Sequence, residues 1–131
     1  MARDELMLLD TCALLWLAQG GGELSRGMLQ KIAEAPFVYV SAISGFEIGV
    51  KVRKGKLELP AAPSDWFKTI VQHHDLQVLA LDLDICILSA ELPPIHNDPC
   101  DRMIIATARN HKLQVVTADA VFEAYPIEII I

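Results

Sequence analysis

The chain predicts an α/β fold in which a parallel sheet is covered by helices on both faces. Two observations carry the prediction. Five short apolar runs rich in Leu, Ile and Val recur along 131 residues, at Leu6–Leu9, Val38–Val40, Leu76–Leu81, Val115–Val116 and Ile127–Ile131. Between them lie helical stretches opened by capping residues. A third observation bounds the architecture: there is no linker, internal repeat or low-complexity tract, so residues 1–131 are expected to form one domain, which at this length buries roughly two thirds of its unfolded surface.

Taken in order, the first run stops at Asp10, and Thr11-Cys12-Ala13-Leu14-Leu15-Trp16-Leu17 begins a helix. Gly20-Gly21-Gly22 reads as a loop. Ser25 is expected to cap a helix to about Ala35, and Ser44 another to about Lys54, closed by Gly55. Ser64 after Pro63 is expected to cap a third through His73, and Asp82 a fourth through Leu92. Asp98-Pro99 opens a helix to about His111, with proline at a first position where its missing N–H costs nothing. Asp119 is placed to cap a short turn through Phe122.

Composition narrows the function. A hydrophobic fraction of 53% leaves apolar surface for a partner or a second copy of the chain. No apolar run approaches the ~18 residues of a membrane span, and Met1-Ala2-Arg3-Asp4-Glu5 carries acids where a secretion signal carries bases, so a cytosolic protein is expected. A net charge of −6 excludes a broad basic surface for nucleic acid. Positive charge is local, at Lys51, Arg53, Lys54 and Lys56. Cys12, Cys86 and Cys100 are odd in number and lack Cys-x-x-Cys spacing, against a disulfide framework or a structural zinc site. A catalytic thiol with His96 as its base is disfavoured, because no Cys-His pattern surrounds either Cys12 or Cys100.

Asp10, Glu47, Asp101 and Asp119 are the candidate site residues. In an open α/β sheet, ligands bind beyond the carboxyl ends of the strands, and Asp10 sits at such an end. A phosphate-binding turn there needs glycines that let backbone amides close on the ligand; Asp10-Thr11-Cys12 presents a negative charge instead, which suits a cation. Each acid alone has a structural explanation. Asp10 and Asp119 read as caps, Ser44-x-x-Glu47 matches the capping-box pattern, and Asp101 falls in the first turn of a helix capped by Asp98. Together they place four acids at comparable positions on successive elements. Carboxylates about 5 Å apart repel by roughly 3 kcal/mol at an effective dielectric of 20, and a divalent cation resolves that repulsion. All-oxygen ligands favour Mg²⁺ or Mn²⁺ over zinc.

Four ordered motifs then resemble one family. Leu9-Asp10-Thr11-Cys12-Ala13-Leu14-Leu15-Trp16-Leu17, Ser41-Ala42-Ile43-Ser44-Gly45-Phe46-Glu47-Ile48-Gly49-Val50-Lys51, Leu92-Pro93-Pro94-Ile95-His96-Asn97-Asp98-Pro99-Cys100-Asp101-Arg102 and Val116-Thr117-Ala118-Asp119 are similar to PIN-domain ribonucleases, nearest to the VapC toxins of bacterial toxin/antitoxin pairs. The resemblance implies a PIN-like three-layer α/β/α fold with a five-stranded parallel sheet and the acids at its C-terminal edge. It also implies Mg²⁺- or Mn²⁺-dependent cleavage of RNA, a homodimer, and a small antitoxin as partner. Residue by residue, Asp10 and Asp101 match the main metal ligands, Glu47 and Asp119 complete the acidic pocket, and Thr11, Ser44 and Thr117 match supporting hydroxyl positions. Lys51, Arg53, Lys54, Lys56 and Arg102 are the expected RNA contacts. Cys12, Gly45 and Cys100 depart from residues common in the family, and none of these departures removes an acid.

Two other classes set the comparison. A phosphoacceptor signalling module also uses a strand-end Asp and Mg²⁺, but wants a Lys ending its last strand, and Ile127–Ile131 has none. A non-catalytic domain that only binds RNA or protein is the second, disfavoured by the intact acids.

Overall fold

A computed structural model of the chain describes residues 6–130, so Ile131 at the end of the fifth apolar run lies outside the described residues. The apolar runs become parallel strands β1 (Leu6–Leu9), β2 (Phe37–Ser41), β3 (Leu76–Leu79), β4 (Gln114–Val116) and β5 (Ile129–Ile130). They lie in the order β3-β2-β1-β4-β5. β5 is only two residues long at the edge, so four strands carry the sheet. Two helices fill each of the first three crossovers: α1 (Thr11–Ala18) and α2 (Arg26–Glu34), α3 (Ala42–Arg53) and α4 (Pro63–His73), α5 (Leu83–Glu91) and α6 (Pro99–His111). The last crossover holds a short 3-10 helix, Ala120–Ala124.

Alternation along the strands sorts side chains to two sides of the sheet. Met7, Leu9, Val38, Val40 and Leu76 pack with Ala13, Leu14 and Leu17 of α1, Met28 and Ile32 of α2, and Trp66 of α4. Leu8 and Val115 face the opposite way, against Ile85 of α5, Ile104, Ile105 and Ala108 of α6, and Phe122. The class is therefore α/β with helices on both faces. Among the described residues, no helix is long and apolar enough to cross a membrane.

Strand order fixes where a site can form. From β1 the chain first adds β2 and β3 on one side, then crosses to add β4 on the other, so the order reverses between β1 and β4. Helices leave the sheet in opposite directions there, opening a crevice at the carboxyl ends of the strands. The register brings the two ends level, pairing Leu9 with Val116, and the Asp10 amide donates to the Val116 carbonyl at 3.1 Å.

Three sequence expectations differ in position. α3 starts at Ala42, where Ser41 accepts from the Ile43 amide at 3.1 Å, because the helix follows β2 without a loop. Ser44 therefore lies inside the helix, and Ser44-x-x-Glu47 is not a capping box. α4 takes Pro63 at its first turn with Ala62 as a cap that makes no side-chain bond, so Ser64 is not the cap. β3 ends at Leu79 rather than Leu81, ahead of Asp82, whose carboxylate accepts from the Ile85 amide to open α5.

Of the four glycines at positive φ among the described residues, Gly55 and Gly22 are there for different reasons. Gly55 (φ 71°) ends α3, with its amide on Val52 and the Lys56 amide on Lys51, and its Cβ position is open. Gly22 (φ 51°) lies against the Trp16 ring, where a Cβ would come within 2.6 Å of the indole. Gly55→Ala is expected to cost about 1 kcal/mol of backbone strain, and Gly22→Ala about 2–3 kcal/mol because a steric collision is added. Urea denaturation of both variants measures the difference; equal losses would contradict the packing role of Gly22.

Candidate active site

Asp10 caps α1 from the end of β1, and its Oδ1 accepts from the Ala13 amide at 2.8 Å. It is 6% exposed. Burial pushes its carboxyl above the ordinary range; bonds from the Thr117 hydroxyl and the Ala13 amide pull it back, while the charges of Glu47 and Asp119 push it further up. Three of the four sequence-predicted acids thus share one electrostatic environment across the β1–β4 switch point.

Glu47 reaches this edge from α3. Its Oε1 accepts from the Thr11 hydroxyl at 2.7 Å, and its Oε2 accepts from Lys51 Nζ at 3.0 Å. Thr11 spends its one proton on Glu47, so the Ser44 hydroxyl, 2.9 Å away, donates to Thr11. Ser44 is fully buried and Thr11 nearly so. Their chain of hydroxyls ties α1 to α3 and fixes the direction of the Glu47 carboxylate.

Asp101 stands in the first turn of α6, which Asp98 caps by accepting from the amides of Cys100 and Asp101. Burial raises the Asp101 carboxyl to about 6; a hydrogen bond from His96 lowers it, and the charges of Asp98 and Glu47 raise it. Asp119 caps the short 3-10 helix through the Val121 amide, while its own amide donates to the Thr117 hydroxyl at 3.0 Å. His96 joins these two acids, with Nε2 at 2.7 Å from Asp101 Oδ2 and 3.7 Å from Asp119 Oδ2.

His96, weighed from the sequence as the base of a disfavoured catalytic thiol, lies on the loop between α5 and α6. Its main chain is held tightly. The His96 amide donates to the Tyr125 hydroxyl at 2.8 Å, and that hydroxyl donates to the Pro93 carbonyl. The only advance signal was its place two residues before Asp98-Pro99; Tyr125, 29 positions away, carried none.

Arg102 departs from expectation. Its guanidinium donates to the carbonyls of Ser89 (3.1 Å), Ala90 (3.5 Å), Leu92 (2.7 Å), Pro93 (3.0 Å) and His96 (3.1 Å), one for each of its five N–H groups. A fork of donors saturated by a loop is a clamp on the α5–α6 connection and has none left for an RNA phosphate. Lys51 is engaged by Glu47, whereas Arg53, Lys54 and Lys56 are exposed beyond it. The catalytic-thiol reading also loses ground, since burial pushes Cys100 to about 11, and burial together with the Asp10 charge pushes Cys12 up. A thiol held protonated is a poor nucleophile.

The donor set suits a hard divalent cation: carboxylate oxygens predominate, and burial and neighbouring carboxylate charges raise Asp10 and Asp101 despite the bonds from Thr117, the Ala13 amide and His96. Ligand atoms of His96, Asp101 and Asp119 all lie within 4.8 Å of one another.

Comparisons with known proteins bear on the family and the fold. The sequence model of the PIN domain matches residues 7–128. Ribonuclease VapC22 of Mycobacterium tuberculosis is 28% identical over 114 residues, covering 86% of each chain. Among solved structures, VapBC2 from Rickettsia felis bound to a promoter DNA fragment superposes with a TM-score of 0.73 at 14% identity, covering 95% of this chain and 97% of that one. DNA-bound VapBC from Salmonella typhimurium gives 0.67 at 25% identity, covering 95% and 96%.

Asp101 has a stability consequence. Its carboxyl titrates near 6 in the fold against an ordinary value of 3.8, so the protonated form favours folding, and that contribution, complete in acid, is lost as pH rises through 6. Asp101→Asn stays neutral at every pH. Relative to the parent it is expected to gain on the order of 1 kcal/mol at neutral pH in chelator, once solvent screening is discounted, and nothing near pH ~4. Urea midpoints at the two pH values measure this; a pH-independent difference would refute it.

Proposed function

We propose, from the premise that this chain belongs to the PIN-domain family, that it is an endoribonuclease hydrolysing RNA phosphodiester bonds with a divalent metal ion, and the toxin of a toxin/antitoxin pair. The observation that supports the reading is the coupling of the four acids: Asp10 feels the charges of Glu47 and Asp119, Asp101 feels that of Glu47, and His96 stands between Asp101 and Asp119. The similarity to Ribonuclease VapC22 supports the RNA substrate, and the similarity to VapBC complexes supports the antitoxin.

Asp10 and Asp101 are the residues that would hold the ion, Mg²⁺ or Mn²⁺, with Glu47 and Asp119 completing the pocket. A bound divalent cation supplies Lewis acidity at a phosphoryl oxygen of the scissile bond. The chain's own groups do the rest. Thr117 and the Ala13 amide hold Asp10, and Thr11 and Ser44 hold Glu47, so the acids are oriented before substrate arrives. Lys51 neutralises Glu47 from behind, one turn along α3, which lets a polyanion approach an otherwise repellent acidic cluster. Arg53, Lys54 and Lys56 extend positive charge outward from there and would hold flanking phosphates.

The phosphoacceptor alternative has no observation in its favour, since β5 ends the sheet without a Lys. A binding-only role is disfavoured by the four acids in place. Residues 1–131 are proposed to act as one cytosolic domain and as a homodimer. Phe46, 63% exposed, and a groove lined by Val40, Ala42, Gly45, Phe67, Val71 and Val78 offer apolar surface to an antitoxin helix, whereas Trp16 is half-buried against Gly22.

Cleavage of RNA is expected to require Mg²⁺ or Mn²⁺ and to fall by roughly 100-fold or more in Asp10→Asn and Asp101→Asn, with folding retained. Full cleavage in EDTA, or by both variants, would overturn the nuclease mechanism. Replacing Arg53, Lys54 and Lys56 by Gln is expected to weaken RNA binding and flatten its salt dependence by about one slope unit per lost phosphate contact, while Arg102→Gln lowers stability instead. An unchanged salt slope would return the three cations to the role of a solvated helix end.

A further inference from the structure

We propose that His96 is a positioning residue of the active site: it donates from Nε2 to Asp101 Oδ2 and so commits the other oxygen of Asp101, Oδ1, to the metal. The inference rests on the divalent-metal reading above. Three observations carry it.

The first is the number of supports on one loop residue. The His96 amide is held by the buried Tyr125 hydroxyl, its carbonyl accepts from Arg102 at 3.1 Å, and its ring stands edge-on to Phe122, with centroids 6.2 Å apart. Arg102 and Tyr125 also meet on the Pro93 carbonyl, so α5, α6 and the segment after β4 all contribute to one clamp. A histidine serving only as a surface tip does not need its main chain fixed at both ends.

The second is the tautomer. The Asp98 amide points at Nδ1 from 3.4 Å, which makes Nδ1 the acceptor and leaves the ring proton on Nε2. That nitrogen is the one at 2.7 Å from Asp101. With its proton there, His96 is a donor to the carboxylate and not a nitrogen ligand. The short distances among His96, Asp101 and Asp119 then describe a donor that spaces two acids, rather than a three-residue metal site.

The third is coupling within α6. Asp98 caps the helix through the Cys100 and Asp101 amides while its own amide meets the His96 ring. The same first turn thus sets the backbone of Asp101 and the tautomer of the group that orients its side chain. Such outer hydrogen bonds to a metal-binding carboxylate matter to affinity by roughly 10- to 100-fold.

The test compares His96→Phe, which keeps a ring on Phe122 but removes the donor, with His96→Gln, whose amide nitrogen reaches the Nε2 position. Calorimetric titration with Mn²⁺ is expected to show roughly 10- to 100-fold weaker binding for His96→Phe and recovery of most of that loss by His96→Gln. Cleavage should fall in kcat with little change in KM for RNA. In the metal-free parent at alkaline pH, long-range ¹H–¹⁵N spectra should show the His96 ring proton on Nε2. Equal Mn²⁺ affinity of parent and His96→Phe, failure of His96→Gln to recover, or a proton on Nδ1 would overturn the proposal. A parent that binds no Mn²⁺ at all would overturn the metal reading beneath it.

Discussion

Gathering four carboxylates at one edge of a parallel sheet is the constraint to which the rest of this molecule answers. Burial and like charge both oppose it, and Asp10 and Asp101 register the cost as carboxyls pushed above their ordinary range. A fold tolerates such a cluster only where geometry makes it unavoidable and where donors hold each acid in place. Both conditions are met at the β1–β4 switch point. The sheet brings Asp10 and Asp119 to one crevice, because the level ends of β1 and β4 release their chains there, while Glu47 and Asp101 are carried on α3 and α6.

The acids are also part of the scaffold that holds them. Asp10 caps α1, Asp119 caps the last short helix, and Asp98 caps the helix that carries Asp101. Glu47 has no capping duty, and two elements are recruited to hold it: Thr11 with Ser44 on one oxygen, Lys51 on the other. Local helix chemistry and site chemistry thus use the same atoms, so substitutions at the site are expected to change both activity and stability, in opposite directions for Asp101.

This double use explains what could be read from the sequence. Strand ends, caps and the Asp98-Pro99 helix start are local signals, so Asp10, Asp101 and Asp119 were legible with their helices. Ser44 was misread because Ser-x-x-Glu is the same pattern whether the serine opens a helix or lies buried within one; only the adjacency of β2 and α3, with Ser41 reaching the first amide, separates the two. Arg102 was misread for a related reason. Its acceptors are carbonyls of a loop whose path is set by Tyr125, and no property of a carbonyl is written in the residue that bears it. The short β5 and the early end of β3 show the limit of apolar runs as strand markers, since Asp82 starts a helix before its run can extend the sheet.

The central claim is that one divalent ion site is formed by acids from four distant segments. Paramagnetic broadening of side-chain carboxyl ¹³C signals by substoichiometric Mn²⁺ tests it most directly. The account predicts that Asp10, Glu47, Asp101 and Asp119 broaden first and together, while the exposed acids Glu23, Glu58 and Asp84 stay sharp. Broadening spread evenly over the surface acids, or centred on any group that excludes Asp10 and Asp101, would contradict it.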